Sequence, residues 1–341
     1  MMVEEIETKD EAAWDRFVLE EAGGTLFHTI GWKRLVQSHC RYRPLYLAAR
    51  SSEGIEGVLP LFLVSHRGFG RKLVSVPHAV LGGVCARSEQ AAECLVQRAV
   101  EETRRLKCQY LELRGLSEHP GEWVVDRRYA TFHLPLDPDP DRVWRGMRKS
   151  HRRAVAKAQT RGCAVELDSD GIRRFSSFYA RDQRNFGTPT LGRSWIHDLV
   201  SIFPEYHSIA RVVFEGKPIA QFLVRRFRGI VSEVLGNDDP RFREWNPNSI
   251  LEWALIQDAC MKGYKIYDFG RSLLESGSSL FKIGWGAEPL PLVYQFFRNG
   301  SVRLPDTSQT NPQRQRLART WKRLPMPLAD AIGPLVRRRF P

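Results

Sequence analysis

The sequence predicts a mixed α/β protein of two similar domains, each a sheet flanked by helices, followed by a basic tail. Three observations carry this reading. The chain has 341 residues, a length that suggests two domains, each able to bury its own core. Both halves run strand, turn, strand, turn, strand, helix, buried strand. The halves also align at a nearly constant spacing. The turn Glu56-Gly57 corresponds to Glu215-Gly216 at an offset of 159, and Tyr110 to Tyr267 at 157. Leu111-Glu112-Leu113 then matches Tyr267-Asp268-Phe269 at 156, which argues for a duplicated unit. The expected domains are 1–135, 136–300 and a tail 301–341.

In the first half, Trp14, Phe17 and Val18 share one face of a short helix over 10–22, and a second helix runs from Trp32 to His39. Strands follow at 44–50, 58–64 and 72–77, with turns at 51–57 and 67–71. A helix spans 88–107 and a buried strand 110–114. The second half repeats this: strands at 207–214, 219–226 and 230–235, a helix at 247–262 and a buried strand at 265–269.

Between the halves, Leu134–Pro140 reads as a linker, and Asp141 as the cap of a helix over 141–161. That helix carries Arg142, Arg145, Arg148, Lys149, Arg152, Arg153, Lys157 and Arg161, with no acid after Asp141. Two readings stay open: phosphate contact, centred on Arg148, Lys149, Arg152 and Arg153, or a solvated basic helix. The tail from Ser301 holds nine Lys or Arg against two Asp. Gln, Pro and Thr make 305–315 a flexible linker. Beyond it, Trp321–Leu328 and Ile332–Phe340 alternate apolar groups with cations. This suits peripheral docking on an anionic inner membrane face, or packing back onto the body.

The net charge is +13, which favours a polyanionic partner without choosing one. The six cysteines form no C-x-x-C pair, and no His/Cys cluster has metal spacing, so no metal is expected. The acidic N-terminus has no apolar signal region, and no apolar run approaches the roughly 18 residues of a membrane span. The expected location is the cytoplasm. Glycine-rich phosphate loops and the G-x-S-x-G elbow are absent, and no nucleophile stands out. What remains is direct transfer between two bound substrates, with positioning and charge stabilisation supplied by the protein.

The candidate site is Tyr264–Ser272 followed by Leu280–Gly286. Asp268 sits inside an apolar strand, where a charge must be paired, and Arg271 is its expected partner. Gly270, Gly277, Gly284 and Gly286 predict loops. Lys282 then lies among Phe281, Ile283 and Trp285, as a site group or a solvated loop lysine.

Several stretches resemble the FemAB family of aminoacyl and acyl transferases. They are Phe27–Trp32; Phe178-Tyr179 with Arg184–Gly187; Asn246–Trp253 with Asn248; Tyr267–Arg271; and Phe281-Lys282 with Trp285-Gly286. Together they cover most of residues 25–297. The tail, with Trp321, Gly333-Pro334 and Arg337, is similar to an exosortase- and exopolysaccharide-associated subgroup. The resemblance implies two tandem domains of the GNAT (N-acetyltransferase-like) fold. It implies amide bond formation on a UDP- or lipid-linked cell-envelope precursor, with no cofactor and with aminoacyl-tRNA or an acyl-CoA as co-substrate. Lys282 is then the oxyanion-stabilising group and Arg184 the acceptor-phosphate contact. Trp32, Phe281, Arg271, Trp285 and Asn248 follow as substrate contacts. The family's long helical arm is absent here, as is the pyrophosphate loop of acetyl-CoA users. Asp268 is the nearest candidate base. The alternative function is a non-catalytic nucleic-acid- or membrane-binding protein on the same fold.

Overall fold

The structure is a computed structural model that describes residues 1–66, 70–169, 171–301, 304 and 312–340. Most of the expected turn 67–71 and linker 305–315 lies outside the described residues. The chain divides into two units, one of 1–128, 291–317 and 332–341, the other of 129–290 and 318–331.

The first unit contains β1 (Met2–Glu5), α1 (Glu11–Glu20), α2 (Ile30–Cys40), β2 (Arg43–Ser51), β3 (Gly54–His66), β4 (Gly70–Ser75), β5 (Cys85–Ala86), α3 (Glu89–Arg105), β6 (Tyr110–Gly115) and β7 (Val124–Asp126). The second contains β8 (Tyr129–Pro135), α4 (Pro140–Gly146), α5 (Lys149–Gln159), β9 (Ala164–Ser169), α6 (Ile172–Phe186), α7 (Arg193–Ile202), β10 (His207–Phe214), β11 (Lys217–Phe227) and β12 (Ile230–Asp238). It continues with α8 (Pro247–Met261), β13 (Ile266–Asp268), β14 (Ser272–Leu273), α9 (Gly277–Gly284) and β15 (Glu288–Pro291). β16 (Val293–Arg298) returns to the first unit, and α10 (Pro312–Lys322) and α11 (Met326–Arg337) close the chain.

Each unit holds an eight-stranded sheet. The first runs β1-β2-β3-β4-β6-β16-β7, with β5 on β3; the second runs β9-β10-β11-β12-β13-β8-β14, with β15 on β8. The two orders match position for position. Each has one parallel pair among antiparallel neighbours: β4 with β6, and β12 with β13. Leu111 and Glu112 occupy the places that Tyr267 and Asp268 occupy, so the offset of 156 is structural.

The sheets also exchange strands along the chain. β8 pairs with β13 (Tyr267 opposite Leu134), and β16 pairs with β6. The expected boundaries 135/136 and 300/301 therefore give way to 128/129 and 290/291. An alternating apolar strand joins whichever sheet leaves an open edge for it, and sequence adjacency does not decide this.

β2 and β3 are nearly continuous apolar runs because helices cover the sheet. α8 is apolar around most of its circumference and buried, yet it carries Glu252 in its middle. The expected helix 141–161 is two helices. Asp139 caps α4 by accepting from the Asp141 N–H at 3.0 Å, with Pro140 in the first turn. Met147 and Arg148 are extended, Met147 buries its side chain, and the Arg148 N–H donates to the Gly284 carbonyl at 2.9 Å. The expected loop around Lys282 is the helix α9, capped by Ser276.

The tail residues 318–331 pack within the second unit. Trp321 and Ala329 are buried, and Arg193 pairs with Asp330 at 2.5 Å. In the first unit the Tyr42 hydroxyl and His66 Nε2 both donate to the Arg338 carbonyl. Packing on the body, one of the two readings open for the tail, is thus observed. All six cysteines are free. Among the described residues no helix is long and apolar enough to cross a membrane, and no cluster could hold a metal.

Gly284 makes a specific prediction. A Cβ there would lie 2.3 Å from His151 Cε1, and the same ring hydrogen-bonds the Phe281 carbonyl at 3.0 Å. Gly284→Ala should lower stability by about 1–3 kcal/mol through overpacking. The denaturant midpoint reads this, and an unchanged midpoint would mean the His151 ring moves aside freely.

Candidate active site

β12 and β13 pair in parallel from Ile230/Ile266 only as far as Ser232/Asp268. Beyond that point β12 continues to Asp238 on β11 alone. The register on β11 shifts there, so that Leu223 faces Leu235 while Val224 faces Glu233, leaving Val234 as an extra residue. Such a bulge re-aims side chains, and the carboxyl ends of parallel strands are where ligand crevices form. Gly236 makes room, since a Cβ there would stand 2.3 Å from Glu233 Oε1 and 2.9 Å from Phe222.

Three elements bring acid groups to this place. Glu233 is half-buried as a residue, but its carboxyl end is enclosed and hydrogen-bonds that of Glu252 on α8. The Tyr267 hydroxyl of β13 donates to Glu252 Oε2. Burial raises Glu233 above the usual carboxylate value, and burial followed by the Glu233 charge raises Glu252 well above it. Two enclosed carboxyls in contact cannot both ionise, so they share a proton.

Lys282 stands in the last turn of α9 and is 8% exposed. Its Nζ donates to the Gly270 carbonyl at 2.8 Å and lies 5.3 Å from the centre of the Phe132 ring. Burial lowers its pKa from 10.5, opposed by the charges of Glu233, Asp268 and Glu252. Asp268 accepts from Thr131 Oγ1 at 2.5 Å, the Gly270 N–H at 2.9 Å and Ser232 Oγ at 3.4 Å, with His133 Nε2 at 3.7 Å. Gly270, at φ +72°, turns its N–H to Asp268 and its carbonyl to Lys282. The site thus holds the sheltered Lys282 ammonium, the buried Arg225 guanidinium beside Asp268, and a carboxyl pair able to take or give a proton.

Lys282 and Asp268, expected from sequence, come together here. The Arg271 guanidinium lies 4.7 Å from the centre of the Tyr129 ring. Thr131, the Gly270 N–H and Ser232 hydrogen-bond the Asp268 carboxylate, and the buried Arg225 guanidinium adds its charge. Trp285 is fully buried in the core of the second unit, with its Nε1 buried and without a hydrogen-bond partner. Phe281 is 40% exposed. Asn248 lies in the first turn of α8, with Oδ1 buried and unpartnered; Asn237 Nδ2, on β12, is likewise unpartnered. Trp32 is buried in α2 of the first unit, its ring edge against Phe27. Arg184 ends α6 and is engaged by the tail, its Nε donating to the Leu324 carbonyl at 2.9 Å.

Among the basic-helix residues, Arg152 donates to the carbonyls of Trp144, Arg145 and Met147, so it caps α4. Arg148, Lys149 and Arg153 are exposed. Lys149, Arg153 and Lys157 follow at i, i+4 and i+8, forming one stripe on α5. Sequence reading missed Glu233 and Glu252. A lone glutamate within the otherwise apolar run 250–256 was the available signal.

Residues 145–282 match the family described as Acetyltransferase (GNAT) domain, a stretch that includes Glu233, Glu252 and Asp268 and ends at Lys282. The structure of FemX superposes with a TM-score of 0.66 at 15% identity, over 86% of this chain and 97% of that one. The chain has a FemAB-like tandem GNAT fold. A tandem GNAT protein from the clavulanic acid biosynthesis pathway aligns with a TM-score of 0.54 at 10% identity, over 89% and 100% of the two chains. The C-terminal domain of a proposed lysylphosphatidylglycerol synthetase from Agrobacterium fabrum aligns with 0.56 at 12%, over 84% and 91%. No curated protein sequence matches. The matched domain supports an acyltransferase of the GNAT fold.

The carboxyl pair gives a pH prediction. Carboxyls held above the usual value of 4.5 contribute stability fully present below that pH and lost as pH rises through their folded values. Glu252→Gln, which keeps the shape without the charge, should be more stable relative to the parent at alkaline pH than at acid pH. Denaturation midpoints across pH check this; a pH-independent difference would rule out the shared proton.

Proposed function

We propose that the second unit forms an amide bond on a cell-envelope precursor, using Lys282 as the oxyanion group and the Glu233–Glu252 pair as proton acceptor. The observation that supports it most is the buried ammonium held by the Gly270 carbonyl beside those carboxyls, where the parallel strands part. The acceptor ammonium first loses one proton to solvent. Its nitrogen attacks the donor's ester carbonyl carbon, the C–N bond forms, and the carbonyl oxygen becomes an oxyanion near Nζ. The amine's second proton passes to the carboxyl pair. The C–O bond then breaks, and the leaving oxygen takes that proton; with a thioester donor, sulfur does so. Asp268 and Gly270 position Lys282 from behind. Lys282→Met should lower kcat about 100- to 1000-fold, as loss of an oxyanion contact does, and should also lower the denaturation midpoint, because it leaves the Glu233, Glu252 and Asp268 carboxyls without its charge. Retained turnover in that variant would overturn the assignment.

The donor we favour is aminoacyl-tRNA. The Arg148 N–H donates to Gly284 and His151 Nε2 to the Phe281 carbonyl, so the cation stripe starts beside the helix that carries Lys282. Phosphates would lie along Lys149, Arg153 and Lys157. Arg153→Glu should weaken tRNA binding and reduce the slope of log K against log salt by about one. A slope unchanged by the substitution would leave the stripe without that role.

Arg184 is proposed as the acceptor-phosphate contact, once the Leu324 carbonyl yields to the ligand. A UDP-linked muropeptide should bind saturably, and more weakly to Arg184→Ala. Binding of an acyl-CoA without muropeptide would move the reading to N-acylation of a sugar or exopolysaccharide precursor. Binding of neither, with tRNA still bound, would favour the non-catalytic nucleic-acid-binding alternative. A lipid-linked acceptor would bring the enzyme to the inner membrane face.

A further inference from the structure

The two terminal helices show a solvent face that the body does not use. On α11 the side facing the body carries Ala329 and Gly333, both buried, and half-buried Ile332. The opposite side carries Leu328 at 47% exposure, exposed Ala331 and Leu335 at 46%. These fall at i, i+3 and i+7, one continuous stripe on a helix about 18 Å long. Phe340, at 46% exposure, extends the apolar surface beyond the helix end, and Leu317 on α10 is also exposed.

Cations flank this stripe at both ends. Lys322 and Arg323 precede it and Arg339 follows it, all exposed. The one acid among the described tail residues, Asp330, is held by Arg193 at 2.5 Å. The outward face therefore presents apolar side chains and positive charge with no compensating carboxylate. An exposed leucine stripe in water is unfavourable unless something covers it. A folded protein partner would need acidic groups spaced to match one short helix. A bilayer with anionic headgroups accepts this arrangement without such matching: leucines enter the headgroup–acyl boundary and the cations lie at the phosphates.

From this we infer that α11, with the end of α10 and Phe340, is an interfacial docking surface for an anionic phospholipid bilayer. The helix binds with its inner face still packed on the body, so docking needs no unfolding of the tail. Binding is weak for one short stripe and falls with salt, because both terms are needed. The inference is independent of the chemistry proposed above, and its failure would leave that chemistry untouched.

Flotation of the full chain with phosphatidylcholine vesicles, with and without phosphatidylglycerol, tests it. The chain should float with the anionic vesicles only, and high salt should release it. Leu328→Glu with Leu335→Glu should reduce the bound fraction roughly tenfold or more, and Lys322→Glu with Arg323→Glu should do the same through charge alone. All four positions are exposed, and circular dichroism checks that the variants stay folded. No flotation, equal flotation with neutral vesicles, or flotation unchanged in both variants would overturn the inference. So would a concentration-dependent dimer, seen by light scattering and abolished by the leucine substitutions, because the stripe would then be covered by a second copy.

Discussion

Much of the second unit follows from one constraint: an ammonium group placed out of water must be held by fixed polar partners. Lys282 meets it with the Gly270 carbonyl and with the negative charges of Asp268 and the glutamate pair. Each support has its own requirement. Gly270 must be left-handed to serve both Asp268 and Lys282. The bulge must turn Glu233, and Gly236 must lack a side chain for that carboxyl to fit. The apolar helix α8 must tolerate Glu252, which it does because Tyr267 and Glu233 satisfy it. Removing one partner from such a set is costly because the others are left buried and unbalanced.

The first unit resolves the same position differently. Glu112 stands in the register of Asp268, and Arg114 stands where Gly270 does. Arg114 neutralises Glu112 at 2.8 Å and donates to the Ala79 carbonyl at 3.0 Å. A guanidinium thus fills the place where the second unit opens a backbone turn toward its lysine. Two units of one topology have separated into a structurally paired site and one with an available ammonium and a shared proton.

The sequence carried the duplicated topology, the strand Ile266–Asp268 and a candidate site holding both Asp268 and Lys282. These rest on local patterns: two-residue alternation, turn residues, and a charge inside an apolar run. What it did not carry is long-range. Glu233 and Glu252 meet across a strand and a helix, and neither has a local neighbour that reveals the other. The helical state of 277–284 was masked by its terminal glycines, although Ser276 is a cap and Leu280 and Ile283 keep helical spacing. That Trp32 and Trp285 are buried was likewise not legible, because aromatics serve sites and cores alike and burial is a tertiary property. The break at Met147–Arg148 depends on a hydrogen bond to Gly284, which lies far along the chain.

The exchanged strands bear on how the chain is made. During synthesis from the N-terminus, β1 to β7 emerge first, but the strand that sits between β6 and β7 is β16. The first sheet therefore waits, with two open edges, until the ribosome has passed Arg298. The second sheet has its β8 in hand from the outset and can close once β13, β14 and β15 appear. The later-made sheet is thus the first able to close, and the earlier sheet spends that interval with unpaired edges, the state in which chaperones and misassembly compete.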